Sequence, residues 1–400
     1  MKLKHIAMCL ALSGAAALTA PASAQISDDV IRIGMLDDMS GPFSDYSGPG
    51  AVEAMKLAIE DFGGAINDKK IELLTFDHQN KADLAANKAR EWYDELHADL
   101  VISHGISSAG LAVTKIALEK KKLFVSNSGA LAITNEQCSP YTVRFGMDTL
   151  MWARAMGNAI VQQGGKTWFF IAMDSAFGVS LQSDIEKVLD KSGGKVVGSV
   201  KNPVGASDFA AFMLQAQSSK AQILALANAG SDLVNAIKAA NEFGVTKTMR
   251  LAGWVFPTDV DALGLNLTKN MYMADAWYWD QDEQSRAWAK RYFAKTGRMP
   301  TSQQAVAYST VYEFLNAVKA TGSDAPDNVL AYWRSHKMND AYMRDGMLRP
   351  DGAVQRNIYL YQVKTPEDSK AKWDYFKVLQ SVPGDAVFLT KEESKCPYWK

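Results

Sequence analysis

From residue 31 onward, short apolar runs alternate with longer amphipathic stretches. The runs 31–36, 71–76, 100–103, 123–125, 168–173, 195–200, 223–226 and 271–274 read as strands buried on both faces of parallel sheets. Between them, 51–62, 82–96, 109–121, 152–163, 181–191, 209–217 and 233–243 space their apolar residues as helices do. This alternation predicts a doubly wound α/β architecture. Gly63-Gly64, Gly164-Gly165 and Gly193-Gly194 each follow a predicted helix, where a left-handed residue commonly ends one. A second set of strand–helix units starts near 145–151. After Asp275 the pattern turns more helical, through 284–296 and 304–321. Two lobes follow, with more than one crossover; no repeat of solenoid period and no Pro-rich or Ser-rich linker separates them.

The first residues break this pattern. Lys2 and Lys4 precede a small, apolar stretch, 6–18, and Ala22-Ser23-Ala24 offers small residues for cleavage, the layout of a secretory leader over 1–24. The stretch is short of the roughly 20 residues that span a bilayer, and Cys9 follows Met8 too early for lipidation. Export predicts a periplasmic protein. Cleavage takes the 43 basic residues to 41 against 44 acidic ones, a formal charge of −3, so bulk charge selects neither nucleic acid nor an anionic membrane. It also leaves Cys138 and Cys396 as an even pair in an oxidising setting. A disulfide between them is the expectation, with two unpaired structural cysteines as the alternative.

Chemical motifs are mostly missing. The chain has no Gly-x-Gly-x-x-Gly after a strand and no phosphate-binding loop. No His-Glu-x-x-His or cysteine cluster offers a metal site, and Gly105-Ile-Ser-Ser-Ala-Gly110 is one residue too long for a serine nucleophile elbow. No cofactor, metal or catalytic residue is therefore assigned. Asp280-Gln-Asp-Glu283 reads as an acidic helix start. Polar loops at strand ends remain, where open α/β sheets bind ligands. Ser107-Ser108 precede the helix 109–121, and Asn127-Ser128-Gly129-Ala130 follows the next strand. Both loops fit either helix capping or a carboxylate held by hydroxyl and backbone N–H groups. Tyr46, Phe177, Trp254, Phe256, Trp277, Tyr278 and Trp279 suit either core packing or an apolar pocket wall.

The opening Ile31-Arg-Ile-Gly-Met-Leu-Asp-Asp-Met-Ser-Gly-Pro-Phe43, then Tyr46 and Gly63-Gly64, resembles the periplasmic leucine/isoleucine/valine-binding protein family, solute receptors of ABC importers. The resemblance continues through Phe76-Asp77, His104-Gly-Ile-Ser-Ser108, Ser126-Asn-Ser-Gly-Ala130 and Asp174-Ser-Ala-Phe-Gly178, over nearly all of the mature chain. It implies the type I periplasmic binding fold, two doubly wound lobes joined by a three-crossing hinge. Residues 27–147 with 277–350 are assigned to lobe 1, and 148–276 with 351–400 to lobe 2 and a tail. It further implies a monomer that closes on its ligand and docks on a membrane permease. Ser107, Ser108, Ser128, Gly129 and Ala130 are expected at the ligand carboxylate, with Tyr46, Phe177 and Trp254 packing its body. Two positions depart from the family: Leu131 replaces a common Thr, and Gly253-Trp-Val-Phe256 stands where a Glu usually meets the ammonium group. Unless Asp37, Asp38 or Asp275 substitutes, an organic acid, aromatic or otherwise, fits better than an amino acid. The alternatives are an amino-acid receptor, an exported hydrolase using Ser107 with His104 as base, and a sensory receptor.

Overall fold

The computed structural model describes residues 26–400; the expected leader and Cys9 lie outside them. The first sheet contains β1 (Val30–Asp37), β2 (Ala65–Ile66), β3 (Lys69–Asp77), β4 (Leu100–Ser103), β5 (Leu123–Ser126) and β6 (Thr142–Val143), in the order β2-β3-β1-β4-β5-β6. Apart from the β2–β3 hairpin its pairs are parallel. Its central strands are fully buried, as their unbroken apolar runs require.

The chain continues with β7 (Thr167–Met173), β8 (Lys195–Asn202), β9 (Ile223–Ala227), β10 (Arg250–Gly253) and β11 (Tyr272–Asp275). A ribbon, β12 (Met347–Leu348) and β13 (Val354–Gln355), precedes β14 (Ile358–Val363) and β15 (Phe376–Val382). The second sheet has the order β15-β14-β11-β10-β9-β7-β8, with β14 and β15 antiparallel. The sequence pattern missed the two-residue strands β2, β6, β12 and β13 as well as β10, β14 and β15.

Two lobes result, built as the type I periplasmic binding fold. Helices Glu283–Thr296 and Ser302–Thr321 return to the first sheet: Arg291 and Tyr308 both reach Asp61 on helix Gly48–Asp61, at 2.6 and 2.7 Å. The expected acidic helix start is present, with Asp282 accepting from the Ser285 N–H at 2.8 Å. Helix Ala176–Ser192 ends on Gly193 at φ +82°. Residues 351–355 lie against the first lobe, where Arg144 N–H donates to the Gly352 carbonyl at 2.8 Å and pairs with Ala353. Cys138 and Cys396 form a disulfide across a separation of 258 residues. Beside it, Arg154 holds Glu393 at 2.7 Å, so the tail touches both lobes.

In each sheet the chain winds outward in both directions from a switch point, β1/β4 in the first and β7/β9 in the second. Crevices open at the carboxyl ends of strands at such points. Here the two crevices face one another.

Candidate functional site

The loops leaving those strand ends enclose a cavity lined by Phe43, Tyr46, Gly105, Ile106, Asn127, Gly129, Met173, Ser175, Phe177, Ala229, Trp254, Phe256 and Gln303. The cavity is small, about 40 Å³. Five rings form an arc around it. Tyr46 of the first lobe stacks on Phe256 of the second, with centroids 4.8 Å apart and planes at 17°. Phe43 lies 6.0 Å from Tyr46, Trp254 lies 5.8 Å from Phe256, and Phe177 lies 5.8 Å from Trp254. Gly129 is needed where the lobes meet: a Cβ there would lie 2.9 Å from the Phe177 ring. The lobes are in direct contact across the cleft, and the Ser231 N–H donates to the Pro42 carbonyl at 3.1 Å.

The polar side of the cavity comes from helix starts. Gly105-Ile106 lead into helix Ser107–Lys120, and Ser175 caps helix Ala176–Ser192 by accepting from the Gly178 N–H at 3.2 Å. Ala229 precedes helix Gly230–Glu242, and Gln303 sits in the first turn of helix Ser302–Thr321. First-turn N–H groups lack intrahelical partners and carry the positive end of the helix dipole. The cavity wall holds no carboxylate and no Lys, Arg or His side chain. It therefore suits an apolar body with a negative end.

A family model for periplasmic binding proteins matches residues 30–371. The chain belongs to that family. Among solved structures, a periplasmic binding protein from Burkholderia mallei is 50% identical, with 93% of this chain and 100% of that one covered and a TM-score of 0.91. A branched chain amino acid ABC transporter periplasmic ligand-binding protein from Burkholderia xenovorans LB400 is 37% identical over 92% of this chain and 100% of its own, with a TM-score of 0.82. The Leu/Ile/Val-binding protein homolog 6 of Brucella melitensis biotype 1 is 25% identical over 246 residues, 59% of this chain and 60% of that protein. The chain thus spans 54–60% of the length of the curated relatives it matches.

Of the residues that resemblance to this family singled out, Tyr46, Gly129, Phe177 and Trp254 line the cavity. Ser107, Ser108, Ser128 and Ala130 stand behind its wall. Ser107 is the first helical residue, and its Oγ accepts from the Ala130 N–H at 3.1 Å. The Ala130 carbonyl in turn accepts from the buried Arg144 guanidinium. Ser107 keeps its own hydroxyl hydrogen to give. Ser108 is half-buried in the same turn. The Ser128 Oγ has no partner among the described residues, and it faces the helix: a Cβ on Gly110 would lie 3.1 Å from it. Phe43, Met173, Ala229 and Gln303 carried no site signal in sequence, since only the meeting of two sheets brings them together.

The three carboxylates considered for an ammonium group are engaged elsewhere. Asp37 accepts from Ser47 Oγ at 2.6 Å and from the Gly48 and Asp38 N–H groups, both at 2.8 Å; burial pushes it up to about 7. Asp38 binds the Gly41 and Phe43 N–H groups at 2.6 and 2.9 Å and the Asn80 amide at 2.7 Å, which fixes the loop carrying Phe43 and Tyr46. Asp275 takes the Ser302 hydroxyl, the Ala276 N–H and, at 3.4 Å, Trp254 Nε1–H; burial raises it to about 6.

His104 is likewise committed. Asn127 Oδ1 accepts from the Phe145 and Gly146 N–H groups, so its amide nitrogen donates, 2.8 Å away, to His104 Nε2. Nδ1 then carries the proton and donates to Ser47 Oγ at 3.0 Å. Burial drives this imidazole down to about 3. Both ring nitrogens are occupied by Asn127 and Ser47, and the base that a Ser107 hydrolase would need is spent on holding two loops together.

Proposed function

We propose that the protein is the solute-capturing component of an ABC importer, exported through residues 1–24, monomeric and free of catalysis. Its ligand is a small carboxylate without an ammonium group, with an aromatic acid the best fit. Lobe 1 is taken as 27–147 plus 277–350, with 351–355 packed on it through Arg144, and lobe 2 as 148–276 plus 356–400, whose tail touches both. The observation carrying the ligand reading is the cavity wall itself: five aromatic rings, four helix starts and no acidic side chain. A carboxylate is matched by the first-turn N–H groups and a flat apolar body by the rings; Ser107, one residue behind the lining Ile106, turns its hydroxyl hydrogen to the carboxylate when the ligand is seated. A buried ammonium would lack a counter-charge, at a cost of several kcal/mol; about 3 kcal/mol corresponds to roughly a hundredfold in affinity. Closure then presents the two joined lobes to a membrane permease.

A thermal-shift panel of aromatic acids, aliphatic acids, short amides, and branched-chain and aromatic amino acids tests this, because a ligand stabilises the folded state by mass action. Organic acids should raise the melting temperature and amino acids should not. With the acid in hand, Ser107→Ala should weaken binding about tenfold, the worth of one hydrogen bond to a charged group, whereas Ser128→Ala should not. A branched-chain amino acid is the second reading, favoured by the name of the Burkholderia xenovorans relative. Stabilisation by leucine or valine would establish it and refute the first.

A further inference from the structure

The segments passing between the two sheets enclose a second pocket, of about 270 Å³, on the hinge. Ala276 and Gln281 come from the crossing after β11, Tyr342 and Arg344 from the loop before β12, and Arg356 and Asn357 from the crossing between β13 and β14. Arg356 is only 5% exposed. It donates to the Val354 carbonyl at 2.8 Å and to Tyr342 Oη at 2.7 Å, while its Nε–H has no acceptor among the described residues. Neighbouring arginines are neutralised: Arg344 reaches Asp282 at 2.8 Å and Arg349 reaches Asp351 at 2.6 Å. Arg356 has no such ion pair among the described residues.

Tyr359 and Asp345 complete the polar lining, and three of the other lining groups have hydrogens to donate. Tyr342 Oη accepts from Arg356 and so keeps its own hydrogen to give. Gln281 Oε1 accepts from the Tyr361 hydroxyl at 2.9 Å, and Asn357 Oδ1 from the Gly384 N–H at 3.3 Å. Both amide NH2 groups are left to donate. Asp345 on the rim lies 3.4 Å from Lys337. Arg356 acts electrostatically on the buried Asp275 but makes no ion pair with it, so the guanidinium keeps an unfilled Nε–H beside the donors of Tyr342, Gln281 and Asn357, and this surplus of donors defines what the pocket takes.

We propose that this hinge pocket binds a small oxyanion, anchored by Arg356 with Tyr342, Gln281 and Asn357, separately from the ligand cavity. Its walls are the segments that bend when the lobes move, so the anion's affinity differs between the open and closed protein. By linkage, the anion shifts closure by the same factor. The pocket also has a short connection to the ligand cavity, because Asp275 accepts from Trp254 Nε1–H and feels the Arg356 charge.

The test is thermal unfolding of the mature chain in sodium phosphate, sulfate or acetate, with ionic strength balanced by chloride. At ten times Kd the unfolding equilibrium shifts by about elevenfold. Preference for phosphate or sulfate marks a tetrahedral inorganic ion, and preference for acetate a carboxylate. Gln281→Glu keeps the acceptor for Tyr361 and places a carboxylate by the guanidinium; it should raise the melting temperature in chloride and erase the anion response. Arg356→Gln should erase the response too, and if that variant does not fold, Gln281→Glu decides. No response in the wild type, or a response surviving Gln281→Glu, overturns the proposal.

Discussion

Replacing Gly230 by alanine should hold the lobes apart without touching the ligand. Gly230 has φ +59°, and a Cβ built on it would lie 2.1 Å from the Pro42 carbonyl oxygen and 3.0 Å from the Phe43 ring. Carbon–oxygen contacts settle at about 3.3 Å or more, so the facing loops must separate by roughly 1 Å. That breaks the bond from the Ser231 N–H to Pro42, worth about 0.5–1.5 kcal/mol net. A gap of this size also forfeits a quarter to a half of the local dispersion attraction. Together these disfavour the closed form by about 1–3 kcal/mol, which lowers ligand affinity about 5- to 150-fold. Alanine in the left-handed region costs about 1 kcal/mol more in open and closed forms alike; it depresses the ligand-free melting temperature and cancels from the affinity. Titration calorimetry with whichever solute stabilises the protein gives Kd, and small-angle scattering at saturation gives the radius of gyration, expected to exceed the wild-type value. An unchanged Kd with an equally compact scattering profile would refute the claim that this contact limits closure.

Two further outcomes follow from buried groups and the tail. Reduction of the Cys138–Cys396 bridge releases a 258-residue constraint; a loss of about 3–5 kcal/mol should lower the melting temperature by roughly 4–6 °C while binding persists, and two reactive thiols in native, unreduced protein would contradict the bridge. His104, held down to about 3 by burial, stays neutral in the folded chain while the unfolded chain takes up its proton below about 6.5. Its contribution to stability is complete above that pH and is lost as pH falls toward 3. The His104 ring resonances should not titrate between pH 8 and 4.5, and a midpoint near 6.5 would show that the ring is not committed to Ser47 and Asn127.

What the sequence disclosed depended on whether neighbours along the chain or neighbours in space set the outcome. Strand and helix alternation through 31–243 was legible because burial on both faces leaves continuous apolar runs, and β1, β3, β4 and β5 fall where those runs do. β10 escaped notice as the four residues Arg250–Gly253, too short for any period. β14 and β15 follow a helical stretch and pair antiparallel with each other and β11, with β15 exposed along most of its length, so no apolar run marks it. In the site, ring-bearing positions such as Tyr46, Phe177 and Trp254 were visible because large aromatics at strand ends are conspicuous. Ser128 shows the limit: one loop sends Gly129 to the cavity and turns the Ser128 hydroxyl toward Gly110. That choice is set by how closely helix Ser107–Lys120 packs on the loop.

The facing surfaces that close the cleft are rings and backbone groups, Tyr46 on Phe256, Gly129 on Phe177, and Pro42 on Ser231; no ion pair joins these loops among the described residues. Their attachment therefore obeys the thermodynamics of apolar contact. Joining the lobes should lower the heat capacity, and the grip should weaken on cooling. Added salt, which screens exposed charges, finds nothing here to screen. A cleft closed this way draws its sensitivity from temperature more than from the screening of charge, and ions act on it only where they bind, as at the hinge pocket or on the solute itself.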